Sequence, residues 1–436
     1  MPIDETFEQK LLDYVDAHQD RLVELIRDLV RIPSENTPPV GAELGCQEYA
    51  AGVLRKLGWA PSLYYLNDLP GLREHPLFWG ERDYTNRPNL GARMKGACGG
   101  RSLVLSGHID TVPRGSTQPW TRDPFGGEVE GNLLYGRGSN DMKGGIGTNL
   151  FIAGALNALG IRLQGDLVIE AVVDEEFGGV NGTLAGRVAG FNADAAVISE
   201  PSFLRINAAQ RGGRTVDITF KLPPSGGILT EGKLPAGVSD QVGYFLREVP
   251  RFAGLRKNKV TVHEMYSHHT DPVPVAITKI FTAPWGTKEP TTIPDTCKVE
   301  MYWQLMPGET QDEVEREFFE WFNAVLDSQP DLFQLRPDVE FPIRWMPGSA
   351  ILKREPLVTE LAACGTKVLG AEPPIVGIEG PCDMYVFHQA FDTPAVLWGA
   401  RGGNTHSADE YLEIDTAVSA AKALLLFVCR WCGVAN

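Results

Sequence analysis

No window of the 436 residues stays apolar over the roughly 20 positions a membrane-spanning helix needs, which excludes a helical membrane protein. Basic residues are also in short supply: 40 Lys and Arg stand against 56 Asp and Glu, a formal net charge of -16. That field repels nucleic acid and anionic membranes, so neither is expected as a partner. An anionic substrate is still permitted, because a metal ion or arginine reverses the field locally inside a pocket. The seven cysteines are odd in number and scattered from Cys46 to Cys432, which is no disulfide framework. Cys429 and Cys432 form a lone CxxC inside an apolar run and read as packing. The N-terminal stretch MPIDETFEQKLLDYVDAHQDRLVELIRDLV lacks the basic, apolar and small-residue regions of a signal peptide, so a cytoplasmic protein is expected. There is no internal repeat.

What is present suits a two-domain globular protein, since the chain is longer than one hydrophobic core usually organises. Its organising stretch is Leu103 to Gly147. LVLSGHIDTVP is an apolar strand that breaks into His108-Ile109-Asp110, and LLYGRGSNDMKGGIG is a second short run that reaches Asp141 before a helix start. Leu167 to Val173 is a further buried strand, ending in Asp174-Glu175-Glu176. Ala193 to Ser199 ends in Glu200. Helices are expected at Leu22 to Val30, Gln47 to Leu57 and Thr148 to Leu159, so strands and helices alternate. Each strand ends in acidic or imidazole groups, the pattern of a mostly parallel α/β sheet with its site at the carboxyl edge.

The texture changes near Arg211. Strand-like runs at Thr215 to Leu222, Lys259 to Glu264, Val273 to Phe281 and Cys297 to Leu305 accompany helices at Val238 to Glu248 and Thr310 to Leu326. This predicts a smaller inserted α+β domain over 211–327, between two parts of the α/β domain, 1–210 and 328–436. The long connection Asn67 to Asn89, with Phe78 and Trp79, reads either as an ordered pocket wall or as a surface loop anchored by Trp79.

The strand-end groups are His108, Asp110, Asp141, Glu175, Glu176, Glu200 and, from the late THSADEY stretch, His406. Clustered carboxylates raise one another's pKa unless a cation neutralises them. Two imidazoles with several carboxylates suit one or two divalent ions of zinc, manganese or cobalt better than calcium or magnesium.

SGHIDTVP, YGRGSNDMKGG, VVDEEFGG, ISEP and THSADEY together resemble, in order and rough spacing, the metallohydrolase family of acetylornithine deacetylase, succinyl-diaminopimelate desuccinylase, aminoacylase and glutamate carboxypeptidase. RPNLGARMKG and the segment from Trp120 to Phe125 resemble its deacetylase/desuccinylase branch. The resemblance implies a zinc-exopeptidase-like catalytic domain with a lid that mediates homodimerisation or higher self-association. It makes Asp141 a carboxylate bridging two metals, with His108 and Glu200 completing one and Glu176 and His406 the other. Asp110 would orient the His108 ring. Glu175 would be the general base that deprotonates the attacking water and later protonates the leaving nitrogen. It also implies a cis peptide at Asp141-Met142.

The chain departs from the family in the lid. A lid histidine is expected shortly after the first lid strand, yet KLPPSGGILTEGKLPAG contains none. His263, His268 and His269 are either its substitutes or ordinary surface histidines. Gln304 stands where the resemblance implies an arginine for a substrate carboxylate, and Arg401 stands in a Gly399-Ala400-Arg401 stretch where many members have Gly-Pro-Gly. Losing a bidentate arginine is not a conservative change. The expected function is therefore metal-dependent hydrolysis of a C–N amide bond in a small molecule, by default an N-acyl amino acid. The alternatives are hydrolytic deamination of an aromatic amine, with Trp79, Trp120 and Trp303 as possible pocket walls, and an inactive fold that only binds.

Overall fold

The computed structural model describes residues 3–115, 119–223, 236–282 and 294–435. The chain divides into two compact units, one formed by Met1–Ala209, Ala350–Ile378 and Cys382–Asn436, the other by Gln210–Ser349 with Glu379–Pro381.

Four parallel strands form the centre of the first unit's main sheet. Leu167–Ala171 pairs with Leu103–Ser106, that strand with Ala196–Ile198, and the last with Ala395–Leu397. The flanks reverse direction: Pro88–Met94 runs antiparallel to Leu167–Ala171, Ser62–Tyr65 antiparallel to Pro88–Met94, and Ile206–Gln210 antiparallel to Ala395–Leu397. All four residues of Leu103–Ser106 and all five of Leu167–Ala171 are buried, as strands covered on both faces must be.

The helix Gln19–Val30 contributes Leu22, Leu25, Ile26, Leu29 and Val30 to the core, each at most 2% exposed. Burying each such side chain stabilises the fold by about 1.5–3 kcal/mol. The helix Ile414–Cys432 buries Cys429 and Cys432 as well, and burial pushes both thiols up. All seven cysteines are free, so the CxxC is packing. Among the described residues no helix is long and apolar enough to cross a membrane.

The run LLY does not join the main sheet. Leu133–Tyr135 belongs to a separate antiparallel sheet ordered Gly402–Gly403, Tyr411–Glu413, Leu133–Tyr135, Glu128–Glu130. Three residues, only Leu134 of them fully buried, are too few for the buried sheet, whereas pairing Tyr135 with Tyr411 draws the His406 loop toward the chain entering Asp141.

The second unit has a four-stranded antiparallel sheet ordered Val275–Phe281, Thr296–Leu305, Gly212–Lys221, Asp338–Glu340. The helices Val238–Lys259 and Gln311–Asp327 cover it through Phe245, Phe252, Phe318 and Trp321. The unit extends past Asp327 because Val339 pairs with Ile218 and returns the chain to the sheet. The first helix runs through Pro250 to Lys259, beyond the expected Glu248, and the strand expected over Lys259 to Glu264 does not form: the helix takes Lys259, and Glu264–Tyr266 is a short 3-10 turn. Pro250 removes one backbone donor, but Val249, Phe252 and Arg256 beyond the expected end are buried and keep the helix seated. Trp303 is fully buried in this core, T-shaped against Phe252 at 5.7 Å between centroids, so it walls no pocket. Pro224 to Pro235, most of the stretch that lacks the lid histidine, lies outside the described residues.

Candidate active site

The Leu103–Ser106 strand delivers His108 through Gly107, where a Cβ would meet the Met142 methyl at 2.5 Å. His108 is 2% exposed. Its Nδ1 is 2.9 Å from the Asp110 carbonyl oxygen, which makes Nδ1 the donor and turns Nε2 toward the carboxylates. Nε2 lies 3.0 Å from Asp141 Oδ1, 3.4 Å from Glu200 Oε1 and 3.9 Å from Glu175 Oε2.

Asp141 arrives from the turn Ser139–Lys143, which opens into the helix Gly144–Ala158, and its bond to Met142 is cis. Its other oxygen, Oδ2, lies 3.3 Å from His406 Nε2, and that nitrogen is 2.9 Å from Glu176 Oε2. Asp141 therefore stands between the two imidazoles with one oxygen toward each. Ligand atoms of His108, Glu175 and Glu200 lie within 4.8 Å of one another, as do those of His108, Asp141 and Glu176.

Glu175 and Glu176 follow the Leu167–Ala171 strand and Glu200 follows Ala196–Ile198. Asp110 meets the His108 ring differently from the expectation. The direct bond to His108 comes from its backbone carbonyl, while its carboxylate Oδ1 is 3.6 Å from Nδ1. The two carboxylate oxygens accept the backbone N–H groups of Glu175 and Glu176, each at 3.2 Å.

Burial raises Glu175 well above the usual carboxylate range; His108 opposes this, and the charges of Glu200, Asp383 and Glu176 add to it. Burial and the Asp141 charge push Glu176 up to about 7. Burial also raises Glu200. Burial would lower His108, but Glu200, Asp141 and Glu175 together hold it well above its usual value. Hydrogen bonds to Asp141 and Glu176 raise His406 to about 10. Asp141 itself is pulled down: burial would raise it, and the two histidines outweigh that. Raised carboxylates beside raised imidazoles mark an excess of buried negative charge, and this donor set fits divalent cations.

Glu410 is a site residue that sequence reasoning passed over although it lies in the THSADEY stretch. It is fully buried and accepts the backbone N–H groups of Gly138, Asn140 and Asp141, each at 3.0 Å, and Arg137 Nη1 at 2.6 Å. Its position four residues after His406 was the available signal, but its partners are more than 260 residues away in sequence.

Within the first unit, Arg401 is not joined to this cluster. Arg401 is half exposed and pairs with Glu413 at 3.7 Å. In the second unit, Gln304 Oε1 accepts from Arg211 at 2.5 Å and its amide donates to the Glu379 carbonyl at 2.6 Å. His263 Nδ1 accepts from Met265 N at 3.3 Å, and the rings of His268 and His269 lie 4.3 Å apart.

The chain is similar to several known proteins. The chain is 28% identical over 438 residues to the N-formyl-4-amino-5-aminomethyl-2-methylpyrimidine deformylase of Halalkalibacterium halodurans, covering 97% of each. It is 38% identical over 161 residues to the succinyl-diaminopimelate desuccinylase of Methylocella silvestris, covering 37% of each. The crystal structure of human carnosine dipeptidase 1 shares the fold, with a TM-score of 0.77 at 17% identity over 98% of both chains. The model described as Peptidase family M20/M25/M40 matches residues 104–430, well over half of the chain, and the protein belongs to that family of divalent-metal-dependent hydrolases.

Proposed function

We propose that the protein hydrolyses the amide bond of a small N-acylated amine, and that an N-formylated aminopyrimidine is the first substrate class to test. The observation that carries this reading is Asp141, whose two oxygens face two different imidazoles at 3.0 and 3.3 Å. In it, His108, Glu200 and Asp141 would hold one divalent ion, and Glu176, His406 and Asp141 a second.

Formal charge supports two. Asp141, Glu175, Glu176 and Glu200 with both rings protonated leave a charge of about -2, whereas two divalent ions with neutral rings bring the sum to about zero. Bound ions of this kind polarise an amide carbonyl and lower the pKa of water. Glu175, with its raised pKa, takes the proton from the attacking water and delivers it to the nitrogen as the C–N bond breaks. The products are a carboxylic acid and an amine.

Two observations favour a substrate without a carboxylate. The deformylase relative matches across 97% of both chains, and the pyrimidine in its name carries no carboxylate. Gln304 offers a neutral amide where the resemblance implies a guanidinium. The second unit is proposed as the lid and self-association domain; no histidine in it is assigned a role.

The test is a panel comprising N-formyl-4-amino-5-aminomethyl-2-methylpyrimidine, N-succinyl-diaminopimelate and N-acetyl amino acids, assayed with Zn2+, Mn2+ or Co2+ and after chelation. Formate release that requires metal is expected. Ammonia release in place of an acid would establish the deaminase reading, and turnover unaffected by chelation would overturn the metal mechanism.

A further inference from the structure

The segment from Asp174 to Glu176 poses a mechanical problem. Glu175 and Glu176 sit side by side yet must aim at different partners, and Asp174 before them has φ +67, a left-handed backbone that non-glycine residues seldom adopt. Such a turn keeps its shape only where its surroundings hold it.

Asp174 is fully buried, and its carboxylate is where that hold is applied. Oδ2 accepts the Tyr84 hydroxyl at 2.6 Å, and Oδ1 accepts Arg82 Nε at 3.2 Å. Tyr84 in turn accepts from Asn181 Nδ2 at 2.7 Å, and the Arg82 guanidinium lies 3.9 Å from the Trp79 ring centroid. The Asn67–Asn89 connection is therefore an ordered brace. Trp79 is one of its anchors, bonded to Asn181 through both backbone groups at 3.0 and 2.7 Å.

The second grip comes from a different part of the chain. Asn36 is fully buried, and its Nδ2 donates to Asp174 Oδ1 at 3.3 Å and to Asp110 Oδ2 at 2.9 Å. Asp110 is the carboxylate that accepts the Glu175 and Glu176 backbone N–H groups. One amide thus ties the carboxylate that begins the turn to the carboxylate that holds its next two amides. Among the described residues Asn36 Oδ1 has no hydrogen-bond partner, and flipping the amide would set that oxygen against two carboxylates.

We propose that Asn36 is a positioning residue for Glu175 and Glu176, acting as a strut between Asp110 and Asp174 while the Asn67–Asn89 connection braces Asp174 from the other side. The claim rests on the reading of Glu175 as general base, and its test separates the two. Hydrogen–deuterium exchange of the metal-free protein reads the turn directly. In Asn36→Ala and Asp174→Asn, the Glu175 and Glu176 amides should exchange at least tenfold faster while the amides of Leu103–Ser106 stay within twofold of wild type. Asparagine tolerates the left-handed backbone, so Asp174→Asn removes the charge and keeps the turn's φ accessible. Should Asn36→Ala fail to fold, Tyr84→Phe removes only a hydroxyl and carries the same test.

With N-formyl-4-amino-5-aminomethyl-2-methylpyrimidine as probe and Zn2+ saturating, the variants should lose at least tenfold in kcat with KM unchanged, and Zn2+ should bind more weakly because the same turn holds Glu176. Unchanged exchange at the two amides, faster exchange spread evenly over the whole unit, or a kcat restored by excess Zn2+ would each overturn the proposal. Faster exchange at those amides in a protein that hydrolyses no amide would overturn the functional reading and leave the strut standing.

Discussion

Glu410 Oε1 accepts the backbone N–H of Asp141 at 3.0 Å, so the residue four places after one imidazole fixes the carboxylate that faces both. Its other oxygen takes Arg137 and Gly138. Glu410→Gln keeps the shape but turns one acceptor into a donor facing other donors, and leaves the Arg137 guanidinium buried without a counter-charge. Breaking a buried pair in this way costs about 3 kcal/mol. Denaturant titration should show that loss, and chelator competition should show at least tenfold weaker Zn2+ binding because Asp141 is no longer held.

The pH dependence of the chelated protein follows from the raised groups. Glu176 keeps its proton up to about 7 in the folded state, against 4.5 for an ordinary glutamate, so between those values the native state binds more protons than the unfolded chain. Stability then falls as pH rises through that window. His406, raised to about 10 from 6.5, has the same sign: its contribution is complete below 6.5 and is lost as pH climbs toward 10. Its half exposure to solvent weakens the effect. The Tm of chelated protein should decline from about pH 5 upward, and saturating Zn2+ or Mn2+ should flatten the decline because cations replace the protons. A chelated Tm that rises from pH 5 to 9 would contradict this account of the cluster.

The ends of the buried strands were readable because an apolar run that stops in charge is costly without a purpose. His108, Glu175, Glu176 and Glu200 come together where such runs end. Asp141 and His406 join them by another route, through a small antiparallel sheet whose three-residue strands carry almost no periodic signal. Asn36, Tyr84 and Arg82 were not legible, since their meaning lies in partners 74 or more residues away, and an isolated Asn or Tyr looks the same on any surface. The end of the second unit was missed for a related reason: Asp338–Glu340 is short and polar, and only its pairing with Gly212–Lys221 makes it a strand.

Glu175→Gln and Asp141→Asn separate chemistry from metal retention. Glu175→Gln removes the proton acceptor, so kcat should fall by roughly 10²–10⁴ while bound metal stays at the wild-type level. Asp141→Asn removes the charge facing both imidazoles, and metal content measured by elemental analysis should fall with the activity. Full activity in Glu175→Gln would remove it from the role of base.

Self-association can be tested on the outer strand of the second unit. Neighbouring residues on a strand point to opposite faces, yet Ile280 is 53% and Phe281 65% exposed. Among the described residues the end of Val275–Phe281 is thus uncovered on both faces, and it is the outermost strand of its sheet. An unpaired edge with adjacent large apolar groups is a surface that a second copy can cover by strand pairing. Sedimentation equilibrium should give a dimer for the native chain, and Ile280→Lys with Phe281→Glu should shift it to monomer with the Tm of the first unit and its Zn2+ content unchanged. A native monomer at micromolar concentration, or a dimer indifferent to both charges, would exclude this strand as the interface.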